Sequence, residues 1–163
     1  MIEKAHTDNV LVGILIANLS DLPKVAKAWE AFDELGIHSE IVIASIQQNP
    51  DKVMAYLDQA HAKGVQVLID CAGIVPFLTE AITGHTPLPE VGIPLANGSL
   101  AVCGGLQSIV QQAPDVPIAT VAIDNAEKAA IWAAHLLALK YPYINLGLME
   151  IADREKEYVA ELI

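Results

Sequence analysis

The chain has 163 residues, 53% of them hydrophobic and 18% charged, which suits one compact domain with a substantial core and leaves no room for a second. Lys and Arg number 9 against 20 Asp and Glu, and the net charge of -11 excludes sequence-independent binding to nucleic acid or to an anionic membrane, both of which need a basic surface. With aromatics at 5%, the core must be built from Ala, Val, Ile and Leu, and so much aliphatic surface predicts contact with other subunits.

The first apolar run, Val10 to Ile16, shows no alternation of polarity, the pattern of a strand buried on both faces of a parallel sheet. A helix follows, with Ser20 as the N-cap oxygen, Asp21 as a negative charge in the first turn, Pro23 presetting φ, and Gly36 as the stop. The unit then repeats. Strand two is predicted over Ser39 to Ala44, and Asn49-Pro50-Asp51 caps a helix that ends at Gly64. Strand three covers Val65 to Ile69 and leads into a short helix over Val75 to Thr83. Strand four is short, Glu90 to Ile93, with an Asn97-Gly98 turn and a helix over Leu100 to Gln112 behind it. Strand five, Ile118 to Ile123, is the clearest of all, and Asp124 with Glu127 predicts a capped helix reaching Lys140. That helix is apolar nearly all round, so Ala126 to Leu139 is expected to pack between subunits. An amphipathic segment, Ile151 to Ile163, follows the Tyr141-Pro142 break. The organisation expected is thus a tail at 1–9, an α/β domain at 10–140 and a helical extension at 141–163.

Strands alternating with helices imply a parallel five-stranded sheet in three layers, α/β/α, with ligands bound at the carboxyl ends of the strands. The loops at that edge hold little reactive chemistry. No Lys or Arg lies between Lys63 and Lys128, and the one Arg, Arg154, is near the end of the chain, so no arginine fork is available there. None of the five histidines falls in an edge loop, and each reads as a surface or interface residue. Cys71, at the end of strand three, lacks a base partner and reads as a packed thiol; Cys71 and Cys103 have no disulfide or zinc spacing. Asp21 and Asp70 are either paired carboxylates at neighbouring strand ends or, for Asp21, a helix-capping charge. Asn18, Ser20 and Ser45 offer neutral hydrogen bonds to a hydroxylated ligand.

No GxGxxG or Walker pattern follows any strand, and the acidic cluster and Lys of a phosphoacceptor domain are missing. No cofactor and no metal are expected. No window approaches the roughly 18 apolar residues of a membrane span, so the expected setting is cytoplasmic.

Several segments taken together resemble the PurE family of purine biosynthesis, the aminoimidazole ribonucleotide carboxylases and carboxyaminoimidazole ribonucleotide mutases. They are Ser20-Asp21-Leu22-Pro23, Ser45 with Asn49-Pro50-Asp51-Lys52, Ala72-Gly73, Gly92-Ile93-Pro94, Ser108-Ile109-Val110-Gln111 and Ala119-Thr120-Val121-Ala122-Ile123. The resemblance implies a flavodoxin-like three-layer sandwich, a homo-octamer, and a small imidazole ribonucleotide as ligand. It also implies a carboxylate moved or added on an imidazole ring, with a histidine in a Ser-Ala-His-Arg-Thr-Pro segment as proton shuttle and the next Arg on the phosphate.

Here that segment reads Ser45-Ile46-Gln47-Gln48-Asn49-Pro50, so Gln47 and Gln48 stand at the His and Arg positions. The family's Gly-Ala-Gly-Gly-Ala-Ala-His-Leu-Pro-Gly loop corresponds to Cys71 through Glu80, with Phe77 at the second histidine and Thr79 at the proline. A family Asp aligns with Gly104. Ligand contacts are expected at Asn18, Ser20, Asp21, Ser45, Gln47, Gln48, Ala72 and Gly73; of the family's opening Gly-Ser-x-Ser-Asp, here Ala17-Asn18-Leu19-Ser20-Asp21, the resemblance keeps Ser20 and Asp21 for ribose and phosphate but not the leading pair. A glutamine exchanges no protons near neutral pH, and losing a general acid/base costs on the order of a hundred- to ten-thousand-fold in rate. The expectation is therefore a non-catalytic or functionally altered oligomeric member. The alternatives are an active mutase or carboxylase in which Asp21 or Asp70 moves the proton, and a related nickel-cofactor carboxylase acting on a pyridinium dinucleotide.

Overall fold

In the computed structural model, residues 9–72, 77–96, 106–107, 109–111, 115 and 117–162 are described. Five strands, β1 (Val12–Ile16), β2 (Ser39–Ile43), β3 (Val67–Ala72), β4 (Glu90–Pro94) and β5 (Ala119–Thr120), form one sheet in the order β2-β1-β3-β4-β5. Every neighbouring pair is parallel, with Ile14 opposite both Ile41 and Ile69. The helices among the described residues are α1 (Leu22–Glu34), α2 (Pro50–Lys63), α3 (Phe77–His85), α4 (Ala126–Ala138) and α5 (Pro142–Leu162), and residues 106–107 and 109–110 are helical as well.

Side chains alternate across a strand, so each apolar run feeds two cores at once. Ile14, Ile16, Ile69 and Ile93 join Val25, Ala28 and Phe32 of α1 and the alanines of α4 on one face. Leu15 and Leu68 join Val53, Tyr56 and Leu57 of α2 and Leu78 and Ile82 of α3 on the other. This is the three-layer, flavodoxin-like α/β/α sandwich expected. All five residues of the interior strand β1 are buried, whereas the edge strand β2 is only half-buried.

Several boundaries move. Strand three starts two residues later than expected and runs on through Ala72, because Gly64, at φ 95°, first ends α2 and Gln66 bonds back to Leu11. Helix α3 is described from Phe77 and runs on to His85, two residues past the expected end, while its expected start at Val75 lies outside the described residues. Strand five shrinks to two residues: it lies at the sheet edge with β4 as its one partner, and beyond Thr120 single bonds from Val121 to Gly92 and Asp124 to Pro94 hold the chain.

The cap of α4 is Asn125, whose side chain accepts from Lys128 N–H at 2.9 Å, and not Asp124. Helix α5 begins at Pro142, so the proline opens the helix instead of breaking it, and Ile144 and Leu148 enter the core of the sandwich. Within the chain α4 is covered only in part. Ala126, Ala129, Ala130, Ala133, Ala134 and Leu137 are covered, while Trp132 and Leu139 face outward. The Asn97-Gly98 turn, Gly73, Gly104, Ser108 and the ends of the predicted 100–112 helix lie outside the described residues.

Candidate functional site

The strand order reverses at β1: the chain crosses to β2 on one side and returns to β3 on the other. In such sheets the crevice at the carboxyl ends of those strands receives ligands. The loop from β1 enters α1 through a 3-10 turn, Leu19–Asp21, with Asp21 N–H bonded to Asn18 O at 3.1 Å. Asn18 and Ser20 are exposed at this edge, while Asp21 is 6% exposed.

Ser20 does not cap α1. The N-cap position belongs to Asp21, whose carboxylate makes no capping hydrogen bond but places a negative charge at the helix start, so the Ser20 assignment falls. The reason is conformational. A cap swings its oxygen back from extended backbone, whereas Asp21 is already helical at φ -85° and ψ -11°. Its carboxylate therefore makes no hydrogen bond to the start of the helix.

The second loop is organised from within. Ser45 Oγ accepts from Gln48 N–H at 3.4 Å, and Asn49 N–H donates to Ser45 O at 2.8 Å. Asn49 Oδ1 caps α2 at Lys52 N–H at 3.1 Å, as expected, with Pro50 at the first helical position. Gln47 and Gln48 are exposed on this turn, and Lys52 Nζ folds back onto Ile43 O at 2.6 Å.

At the end of β3 the two candidate groups are buried. Burial pushes the Cys71 thiol well above its usual range, and the nearby charges of Asp70 and Asp21 push the same way, against a smaller opposing effect of Lys24. A thiol so held is no nucleophile at neutral pH. Asp70 is not the edge partner of Asp21. Its carboxylate turns under α3, where Thr79 donates to Oδ2, and burial raises it above the carboxylate range despite that bond. Glu90 of β4 lies 5% exposed with both oxygens unpartnered, raised by burial and by the charge of Asp70.

The edge is closed on its β4–β5 side by groups the sequence reading missed. Lys24 Nζ donates to Ala96 O at 3.1 Å and stands 3.6 Å from Asp124 Oδ1, which accepts from Ala96 N–H at 3.0 Å. Asp124 adopts φ 52°, the left-handed region. A signal was present: Lys24, Lys52 and Lys128 are each the third residue of a helix that opens at this edge.

The structure thus brings Asn18, Ser20, Asp21, Lys24, Cys71, Ala96 and Asp124 to neighbouring strand ends, with Ser45, Gln47 and Gln48 on the β2 loop. Such a set can hold hydroxyls and an anion through neutral and cationic donors. Its described residues contain no imidazole and no group of three metal-ligating side chains.

A family model described as AIR carboxylase matches residues 11–158. The N5-carboxyaminoimidazole ribonucleotide mutase of Thermotoga maritima is 40% identical over 150 residues, covering 92% of this chain and 88% of that protein. The mutase of Pyrococcus horikoshii is 36% identical over 161 residues, 99% of this chain and 91% of its own. The phosphoribosylaminoimidazole carboxylase of Schizosaccharomyces pombe is 35% identical over 97% of this chain, which spans 29% of that longer protein. Among solved structures, Treponema denticola PurE superposes with a TM-score of 0.85 over 93% of this chain and 94% of its own, at 22% identity, a likeness of fold.

Proposed function

The chain belongs to the AIR carboxylase family, and from that premise we propose that it is a functionally altered member that binds an imidazole ribonucleotide at the carboxyl edge without the family's proton shuttle. Moving a carboxylate from an exocyclic nitrogen to a ring carbon breaks one N–C bond and forms one C–C bond. A proton must travel the opposite way, from the carbon to the nitrogen, so the site needs a group that can take and return it. The observation that carries the reading is the β2 loop, where exposed Gln47 and Gln48 stand at the positions the resemblance gives to His and Arg.

Ligand contacts remain on Asn18, Ser20 and Asp21 beside β1 and on Ser45 beside β2, with Ala72 ending β3 and Gly73 next in the chain. No cofactor enters this scheme. One observation favours an active enzyme as the second reading: the Asp21 carboxylate stands at the switch point without a capping hydrogen bond. A carboxylate there could exchange the proton that glutamine cannot.

The outward apolar residues support a homo-oligomer, which we place at eight chains from the family resemblance. Trp29 is 51% exposed, Trp132 45% and Leu139 87%, too much apolar surface to leave in water on neighbouring helices. Small-molecule metabolism and a free, buried Cys71 support a cytoplasmic setting.

Calorimetric titration with aminoimidazole ribonucleotide and its carboxylated forms tests the proposal. Saturable binding without conversion of the ligand is the result expected. No binding would retire the edge as a ligand site.

A further inference from the structure

Two residues at the carboxyl edge sit where local physics disfavours them, and they face each other. Lys24 lies in the first turn of α1, at the positive end of the helix dipole, where a cation is unfavourable. Asp124 holds φ 52°, a conformation that residues with a Cβ rarely adopt. The two are 3.6 Å apart and share Ala96, Lys24 through its carbonyl and Asp124 through its N–H. The Lys24 side chain is 28% exposed, so its ammonium is drawn inward, whereas Lys52 and Lys128 are exposed. Its field reaches the Cys71 thiol together with that of Asp21, so it stands near the ends of β1 and β3 as well as those of β4 and β5. Local penalties kept in place by a mutual contact are the mark of positions selected for a site.

We propose that Lys24 is a ligand-binding residue of this edge, its ammonium held by Asp124 and Ala96 to receive an anionic group, carboxylate or phosphate, of the ribonucleotide. The inference rests on the ribonucleotide reading above and names the charge partner that Gln47 and Gln48 do not supply. A chain of net charge -11 repels an anion unless a cation is fixed where the anion lands. Fixing it beforehand also removes much of the side-chain entropy that a solvated lysine would lose on binding. Asp124 explains how a lysine is held at a helix start, and its own strained backbone is offset by two contacts rather than one.

The test is calorimetric titration of wild type, Lys24→Met, Lys24→Arg and Asp124→Asn with three probes: aminoimidazole ribonucleotide, its carboxylated form, and the phosphate-free nucleoside. Lys24→Met is expected to weaken a ribonucleotide about ten-fold or more, as for a hydrogen bond to a charged group, with Lys24→Arg staying within about three-fold. Loss confined to the carboxylated form assigns the carboxylate to Lys24. Equal loss for both ribonucleotides, absent for the nucleoside, assigns the phosphate. Asp124→Asn keeps an acceptor for Ala96 N–H but removes the charge that holds Lys24. It should weaken the same ligand about three-fold, and it carries the test should Lys24→Met not fold. Tight ribonucleotide binding by wild type that no substitution at Lys24 or Asp124 alters overturns this assignment alone. Failure of wild type to bind either ribonucleotide overturns the ribonucleotide reading and the assignment with it.

Discussion

Thr79, in the first turn of α3, donates its hydroxyl to the carboxylate of Asp70 inside β3, and both residues are fully buried. The bond pins the start of a helix to the strand whose end forms the site. It also satisfies only one oxygen: Oδ1 of Asp70 has no partner, and neither oxygen of Glu90 on the adjoining strand has one. Two buried acids on one face of the sheet, short of hydrogen bonds, make the protonated forms the stable ones.

Stability should therefore fall as pH rises. Asp70 and Glu90 titrate above their ordinary values of 3.8 and 4.5 in the folded chain, so above that range the folded state holds protons that the unfolded state has released. The stabilisation is complete below the ordinary carboxylate range and is lost as pH climbs through the raised values. Urea unfolding at about pH 5 and about pH 8 should show the lower midpoint at the higher pH, and Glu90→Gln should flatten the difference. A midpoint that rises with pH in wild type would contradict the assignment of these acids.

Gly13 lies on β1 under the Tyr56 ring, and a Cβ there would overlap the Tyr56 hydroxyl. Gly13→Ala should cost roughly 1–3 kcal/mol through overpacking, read from denaturant midpoints. The Tyr56 hydroxyl is buried beside the Glu40 carboxylate without a well-formed hydrogen bond to it, so Tyr56→Phe alone should cost about 1 kcal/mol or less. In the Tyr56→Phe background Gly13→Ala should cost clearly less, because the oxygen it strikes is gone. Equal costs in both backgrounds would show that the strand, rather than the hydroxyl, resists the methyl group.

How much of this was readable from sequence follows from which contacts are local. The runs of β1, β2 and β4, the Asn49 cap and the Gly64 stop are set by residues within a few positions of each other, and they stand within two residues of where the pattern puts them, whereas β5 keeps only two of its six expected residues. The α1 entry was misread because a 3-10 turn carries Ser20 and Asp21 into the helix already coiled, a preference no single residue announces. Asp124 and Asn125 are equally good caps on paper. The choice between them is made by Ala96 and Lys24, neither of them near in sequence. Lys24 reaches its carbonyl partner across 72 positions, and the burial of Asp70 and Glu90 depends on where α3 lies. Loops announced the edge of the site, while its charges were set by contacts between distant segments.

Trp132 on α4 and Trp29 on α1 should become buried on assembly. Sedimentation of wild type is expected to show a species near eight chains, and Trp132→Glu should shift it to smaller species by placing a charge in an apolar contact. A wild-type monomer, stable at all concentrations, would remove assembly as the explanation for the outward face of α4.

The central claim is that this edge binds its ligand without moving the proton. The most direct measurement is turnover of N5-carboxyaminoimidazole ribonucleotide by wild type beside the Gln47→His, Gln48→Arg double variant, at saturating ligand. The account predicts conversion by the double variant at least about a hundred-fold above wild type, the scale of a restored general acid/base. Conversion by wild type at an enzyme's ordinary rate of about 1 per second or more, unchanged by the double substitution, would contradict it and establish another group, Asp21 first, as the proton carrier.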